Sequence, residues 1–328
     1  MKKLVITGAN GFIGSHLVKK LLSMDTTSIV LISITSNVND KYFKNKKLRH
    51  GSVSFYNADI RDKRAISDIF LAETPNTCIH LAAKISVANS IKNPKETMDT
   101  NVNGTSNVLE ACYNGKVKNF VLASSAAVYG DVRKLPIKES SKLVPISPYG
   151  TSKMLAEEQV LSYQKMKKIK NAVILRIFNA YGKGQTSETD VITQFAKKLS
   201  KGLPPLIYGD GLQTRDFISV HDIVSAILLS LELVERKRNG KNSACAYVFN
   251  VGTGIPTSIK EIAQKMINLF GIYVEPNYME ATNDKKGILH SYADMENSRK
   301  VLKFVANKSL ETGLKEIVDA QQTNKKEV

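Results

Sequence analysis

Tyr149 and Lys153 stand four residues apart, directly after Ser147-Pro148, in the stretch "SPYGTSK". A Ser-Pro pair ends a loop and lets a helix begin, and residues four apart on a helix share a face with their Cβ atoms about 5–6 Å apart. A phenol and an ammonium so placed suit proton transfer. A free tyrosine titrates near pH ~10, so bringing it to neutrality takes about 3 units, or about 4 kcal/mol. An ammonium about 5 Å away at an effective dielectric of about 20 contributes roughly 3 kcal/mol. The spacing therefore predicts that Lys153 lowers the Tyr149 pKa most of the way and that Tyr149 exchanges a proton with a hydroxyl group. Tyr-x-x-x-Lys also arises by chance on surface helices. What sets this one apart is "FVLASSAAVYG" upstream, a strand pattern ending in Ser124-Ser125, whose Ser125 can hydrogen-bond the reacting hydroxyl beside Tyr149.

These residues need a frame. "KKLVIT", "SIVLI", "VSFYNA", "TCIHLA", "NFVLASS", "NAVILRIF" and "AYVFNV" read as buried strands separated by stretches of helical period, the pattern of an α/β, Rossmann-type doubly wound parallel sheet. After about Phe178 the connections turn Gly- and Pro-rich ("AYGKGQ", "GLPPLIYGDG", "NVGTGIP"), which predicts a smaller α/β lobe built from more than one chain segment. The final "TNKKEV" reads as a frayed end.

At the first turn Gly8, Gly11 and Gly14 lie between a strand pattern and an amphipathic helix beginning near Phe12. Such a turn needs positive φ, close approach of backbone to a pyrophosphate and tight packing of helix on strand, and the helix N-terminus offers free amides. Dinucleotide binding follows, with Phe12 and Ile13 at the helix start. The acidic residue expected after the second strand to hold a ribose is absent; "IVLISITSN" offers Ser33, Thr35 and Ser36 instead. NAD is the expected cofactor, and NADP stays open because no carboxylate repels a 2′-phosphate.

With 42% hydrophobic and 23% charged residues among 328, the chain can bury one large core or two moderate ones. Its apolar runs are far shorter than the ~20 residues of a membrane helix. Cys78, Cys112 and Cys245 are odd in number and widely spaced, which suits buried free thiols in a reducing, cytoplasmic setting, and the histidines lack ligand spacing, so no metal is expected. The net charge of +17 comes from scattered lysine pairs without an aromatic stripe, so a solvated surface is favoured over a nucleic-acid groove.

The stretches "TGANGFIGSHLV", "DIRD", "IHLAA", "TNVNGTSNVLEA", "SSAAVYG", "SPYGTSK", "LRIFNAYGKGQ" and "GDGLQTRDFISVHDIVSAI" follow one another in an order and at separations that resemble the extended short-chain dehydrogenase/reductases, the nucleotide-sugar epimerase/dehydratase family, over nearly the whole chain. The resemblance implies a dinucleotide-binding domain over 1–178 and 213–250 and a nucleotide-sugar-binding domain over 179–212 and 251–328. It implies Ser125, Tyr149 and Lys153 as catalytic, with Lys153 also on the nicotinamide ribose. It puts Asp59 on the adenine amino group, Ile60 under that ring, and Leu81, Ala82, Ala83, Lys84, Asn101 and Phe178 along the cofactor, Lys84 and Phe178 near the sugar as well. Asn179 and Arg215 are implied at the diphosphate and Tyr208 at the uracil; a plainer reading of Arg215-Asp216 is an ion pair between neighbours. The family's arginine before the last substrate loop is missing in "NDKKGILHSYAD", where Lys285 or Lys286 can stand in. The helices holding "TNVNGTSNVLEA" and "YGTSKMLAEEQVLSY" imply a homodimer.

Within that family, dehydratases and decarboxylases carry a carboxyl residue after the catalytic serine or threonine, and this chain has Ala126-Ala127. Nothing there protonates a leaving hydroxyl, so the expected reaction is carbon-4 epimerisation of a UDP-sugar through a 4-keto intermediate. Ser291, where strict UDP-galactose epimerases place a tyrosine, leaves room for an N-acetyl group; UDP-GlcNAc/UDP-GalNAc interconversion is therefore expected alongside or instead of UDP-Glc/UDP-Gal. Two rivals stand beside this: a dehydratase or reductase of the same family, and a non-catalytic relative that binds a dinucleotide or RNA.

Overall fold

The computed structural model describes residues 3–24, 28–34, 51–186, 190–236, 244–280 and 288–326. Thr35, Ser36, Lys285 and Lys286 lie outside the described residues. The strands in chain order are β1 (Lys3–Thr7), β2 (Ser28–Ser33), β3 (Val53–Asn57), β4 (Thr77–His80), β5 (Asn119–Ser125), β6 (Asn171–Ile177), β7 (Asn179–Tyr181), β8 (Leu206–Tyr208), β9 (Thr214–Ser219), β10 (Cys245–Val251), β11 (Pro256–Ser258), β12 (Asn277–Met279) and β13 (His290–Ser291). The seven runs read as strands are β1 to β6 and β10. They form one sheet in the order β10-β6-β5-β4-β1-β2-β3, with β1, β2, β3, β4 and β5 paired in parallel. Strands β2, β4 and β6 are buried along their whole length, which is why they read as continuous apolar runs and do not alternate. The order reverses between β1 and β4, and in open α/β sheets ligands bind at the carboxyl ends of the strands flanking such a reversal.

The helices associated with this sheet follow from local signals. In α1 (Phe12–Met24), Gly14, Leu17, Val18, Leu21 and Leu22 make the buried stripe, and each large apolar side chain so removed from water contributes about 1.5–3 kcal/mol. Asp62 caps α2 (Lys63–Glu73) through the Ala65 amide, and Ser86 caps α3 (Val87–Lys92) through Asn89. Then α4 (Pro94–Met98) passes through a π turn at Asp99–Asn103 into α5 (Gly104–Asn114). Helix α6 (Pro148–Lys165) carries Tyr149 and Lys153.

The chain divides into two compact units, one of 1–128, 143–176 and 224–249, the other of 129–142, 177–223 and 250–328. These boundaries put 129–142, 177–178, 213–223 and 250 with the second unit, whereas the sequence expectation grouped them with the first. The second unit contains β9 with β11 antiparallel and β13 parallel to it, β7 parallel as well, and a separate β8–β12 pair. Its core joins Phe195 of α7 (Val191–Leu199), Ile262 and Met266 of α9 (Ile259–Phe270), Leu314 of α10 (Leu310–Lys326), Tyr181 and Phe217. Between α7 and α9 in the chain, α8 (Val220–Arg236) belongs from Val224 onward to the first unit. Helix α10 runs to Lys326, so most of "TNKKEV" continues a helix where fraying was expected; the helical period of "LKEIVDA" carries through it.

Candidate active site

Ser147 is the N-cap of α6, its Oγ accepting from the Gly150 amide at 3.1 Å, and Pro148 fills the first helical position. A cap of this kind contributes about 1 kcal/mol. Gly150 lets the helix start press against the turn that follows β5: a Cβ there would sit 2.5 Å from the Ala127 carbonyl oxygen and 2.9 Å from Pro145 Cβ. That approach brings Tyr149 near Ser125, whose hydroxyl favours the ionised phenol and whose Oγ accepts from the Ala127 amide at 3.2 Å. Tyr149 and Lys153 are both buried, at 9% and 5% exposure.

Burial decides the electrostatics, and here the expectation from spacing is corrected. The Tyr149 pKa is raised above its ordinary value of 10.0 by loss of solvent, with the Ser125 hydrogen bond opposing, and the charge of Lys153 is not among its causes. Lys153 is itself pushed down to about 8 by burial, opposed by the charge of Glu157. Spacing reports that two groups share a face; it says nothing of the water each loses, and that loss is the largest cause of both shifts here.

A buried polar chain holds α6 to the sheet. Thr105 Oγ1 donates to the Asn101 carbonyl at 2.6 Å, so it accepts from His80 Nε2 at 3.0 Å. The imidazole therefore carries its proton on Nε2, and Nδ1 accepts from Thr7 Oγ1 at 2.7 Å. Burial, with a smaller push from Lys153, drives the His80 pKa down to about 3 and keeps it neutral. Asn101 accepts from the Lys84 amide at 2.7 Å and donates to the Lys84 carbonyl at 2.9 Å and to Ser152 Oγ at 2.8 Å. Ser152 then donates to the Tyr149 carbonyl at 2.7 Å. Both amide protons of Asn101, expected along the cofactor, are thus committed to fixing Lys84 and α6. Nothing in the local sequence around His80, Thr105 or Ser152 announces this network, because its members come from β1, β4, α5 and α6.

The glycine turn fits a dinucleotide. Gly8 has φ +72°, and a Cβ there would meet the backbone of Ala82 at 2.7 Å; a Cβ on Gly14 would lie 2.2 Å from the Gly8 carbonyl oxygen. These are a positive-φ turn and a close helix–strand approach, and Gly11 N closes the turn on Gly8 O at 3.0 Å. Helical bonding of α1 starts with the Ser15 amide on Gly11, so the amides of Phe12, Ile13 and Gly14 point out of the helix start. Leu81 and Ala82 border the turn, their amides reaching the Thr7 carbonyl at 3.1 Å and Thr7 Oγ1 at 3.4 Å, with Ala83 next in the chain. Ser33 is buried at the end of β2. Asp59 is clasped by Arg61, with Nη2 to Oδ2 at 2.6 Å and Nε to Oδ1 at 3.1 Å, which holds its carboxyl below the usual range. The Ile60 side chain is buried in the core and packs beneath Gly104. Lys84 Nζ pairs with Glu96 at 2.8 Å.

In the second unit, Asn179, Arg215 and Ser291 lie on strands of one sheet: Asn179 pairs with Phe217, and Ser291 with Arg215. Arg215 and Asp216 are not an ion pair. Asp216 is fully buried and accepts from the Thr253 amide and hydroxyl and from the Gly254 and Ala293 amides at 2.7–3.1 Å. Arg215 donates to the carbonyls of Thr214 at 2.8 Å and Leu289 at 3.3 Å, and burial alone lowers its pKa. Strand alternation sends neighbouring side chains to opposite faces, which is why adjacency in sequence misleads here. Tyr208 ends β8, its carbonyl accepting from Gln213 Nε2 at 3.0 Å. Phe178 is buried, 6.5 Å from the Tyr129 ring between centroids.

Residues 4–252 match the model of the NAD dependent epimerase/dehydratase family. The chain belongs to that family. It is an NAD-dependent enzyme, and the turn at Gly8–Gly14 has the geometry such a cofactor requires. A UDP-glucose 4-epimerase of Lactobacillus helveticus is 33% identical over 83% of this chain and 82% of its own. The crystal structure of a Thermotoga maritima UDP-glucose 4-epimerase with UDP-glucose superposes with TM-score 0.86 at 30% identity, covering 98% of this chain and 99% of that one. A UDP-N-acetylglucosamine 4-epimerase of Methanobrevibacter ruminantium in complex with UDP-N-acetylmuramic acid gives TM-score 0.85 at 29% identity, over 98% and 99% of the two chains. Among the described residues no group of His, Cys, Asp and Glu could hold a metal ion, and no helix is long and apolar enough to cross a membrane.

Proposed function

We propose that the protein is a UDP-sugar 4-epimerase that interconverts UDP-GlcNAc with UDP-GalNAc as well as UDP-Glc with UDP-Gal. The observation that carries this reading is the buried helix face shared by Tyr149 and Lys153, with Ser125 acting on the phenol, in a chain whose next residues, Ala126 and Ala127, bear no carboxyl group. When bound, NAD would supply a hydride acceptor for carbon 4 and, in its oxidised form, a positive charge. The amides of Phe12, Ile13 and Gly14 would hold its pyrophosphate, and Lys153 its nicotinamide ribose. Tyr149 accepts the proton of the 4-hydroxyl and gives it back, while Ser125 hydrogen-bonds the same oxygen and orients it. Burial opposes a phenolate, so Tyr149 works as a base only while positive charge stands near it. Arg215, which has no carboxylate partner among the described residues, grips the diphosphate together with Asn179, Tyr208 meets the uracil, and Ser291 leaves space at the sugar's 2-position. We include in the proposal a homodimer through α5 and α6, tested by light scattering of the purified protein.

The deciding experiment offers all four UDP-sugars and analyses the products by mass spectrometry and NMR. Epimers of unchanged mass are expected from both pairs. Loss of water would favour a dehydratase of the same family, conversion of the UDP-Glc pair alone would remove the N-acetyl assignment, and steep salt-dependent RNA binding without turnover would favour a binding relative.

A further inference from the structure

Tyr149, Lys153 and Glu157 form a single buried row along α6, one turn apart, with Glu157 only 1% exposed. The Glu157 carboxylate is locked from two strands. Arg176 of β6 donates from Nε at 3.0 and 3.1 Å and from Nη2 at 2.7 Å, and Ser124 of β5 donates at 2.5 Å. Adjacent residues of β5 thus hold two ends of one row, Ser125 at the phenol and Ser124 at the carboxylate. We propose that Glu157, clamped by Arg176 and Ser124, is a positioning residue that supplies the buried counter-charge for the Lys153 ammonium.

The titratable groups that act with Lys153 are neutral His80 from β4 and Glu157 from its own helix; Tyr149 lies one turn earlier on that helix, and Arg176 of β6 binds Glu157. Glu157 is the one acidic group acting on it. A free carboxylate would be drawn onto Lys153 and pull the ammonium away from Tyr149; the two-pronged grip of Arg176 keeps Glu157 at a fixed distance instead. A buried ammonium with no counter-charge gives up its proton, and burial already takes Lys153 down to about 8 against the pull of Glu157. The inference builds on the proposed function in taking the charged form of Lys153 as the working one.

The test is a titration followed by NMR of 13Cε-labelled lysine in the NAD-bound protein, with the Lys153 signal assigned by its loss in Lys153→Met. Glu157→Gln should lower its midpoint by about one pH unit or more. Arg176→Gln, which removes a positive charge and spares the carboxylate, should leave the midpoint in place or raise it. The alkaline limb of kcat should move in the same directions. If Glu157→Gln does not fold, Glu157→Leu/Arg176→Leu removes the carboxylate together with the guanidinium that pairs with it, and the Lys153 midpoint should still fall because the ammonium has then lost its counter-charge. Equal movement in the Gln variants, or no movement in either, overturns the inference as a merely structural clamp. The titration is read without turnover, so a parent inactive on every UDP-sugar would sink the proposed function alone, and an active parent with unmoved midpoints would sink this inference alone.

Discussion

Arg215 and Ser291 stand opposite one another in the parallel pairing of β9 and β13. On the proposed reading, a diphosphate held by Arg215 would bring the sugar past Ser291, and residue 291 would be the steric gauge for the group on carbon 2. Ser291→Tyr should lower kcat/KM for UDP-GlcNAc and UDP-GalNAc by about tenfold or more and spare the UDP-Glc pair. Equal loss on both pairs, with thermal stability unchanged, would remove Ser291 from the sugar site.

Arg215 offers a planar fork that a lysine cannot reproduce. With Arg215 at the diphosphate as proposed, Arg215→Lys should raise KM for every UDP-sugar by about tenfold with kcat little changed, because that contact would be alike in ground and transition states. Steady-state kinetics on two substrates checks it.

Tyr149→Phe removes the hydroxyl proposed as acid and base and leaves the packing. Turnover should fall by about 10²- to 10⁴-fold, while NAD still copurifies, since the glycine turn is untouched. With Lys153 titrating near about 8, parent activity should decline as pH rises through that value and the ammonium is lost; an activity flat to pH 10 would contradict a charged Lys153.

His80 ties acid sensitivity to the polar chain under α6. Its folded pKa of about 3 lies below the unfolded value of 6.5, so between these values the unfolded chain binds the extra proton. Stability from this group is full above 6.5 and is lost as pH falls toward 3. From pH 7 to 5 the loss is about 2 kcal/mol. Urea unfolding of parent and His80→Gln at both pH values should show the parent losing that much more.

Gly14→Ala puts a methyl 2.2 Å from the Gly8 carbonyl oxygen, a backbone atom that cannot swing away. It should cost about 1–3 kcal/mol in urea unfolding and reduce the NAD that copurifies. Gly11→Ala, whose Cβ would lie 3.1 Å from the same oxygen, should be milder in both measurements.

Much of this molecule is written in neighbouring residues. The seven strands of the main sheet, the glycine turn, the Ser147-Pro148 helix start and the shared face of Tyr149 and Lys153 are legible because each rests on backbone geometry and side-chain period over a few residues. Even Glu157 continues the four-residue row. The tertiary structure alone decided that Tyr149 and Lys153 are buried, which reversed the expected direction of the tyrosine pKa. It alone brought Arg176 and Ser124 to Glu157 across 19 and 33 residues, committed Asn101 to the scaffold, and turned Asp216 away from Arg215. Loss of solvent and the choice of hydrogen-bond partner depend on which element packs against which, and a local pattern of residues does not carry that information.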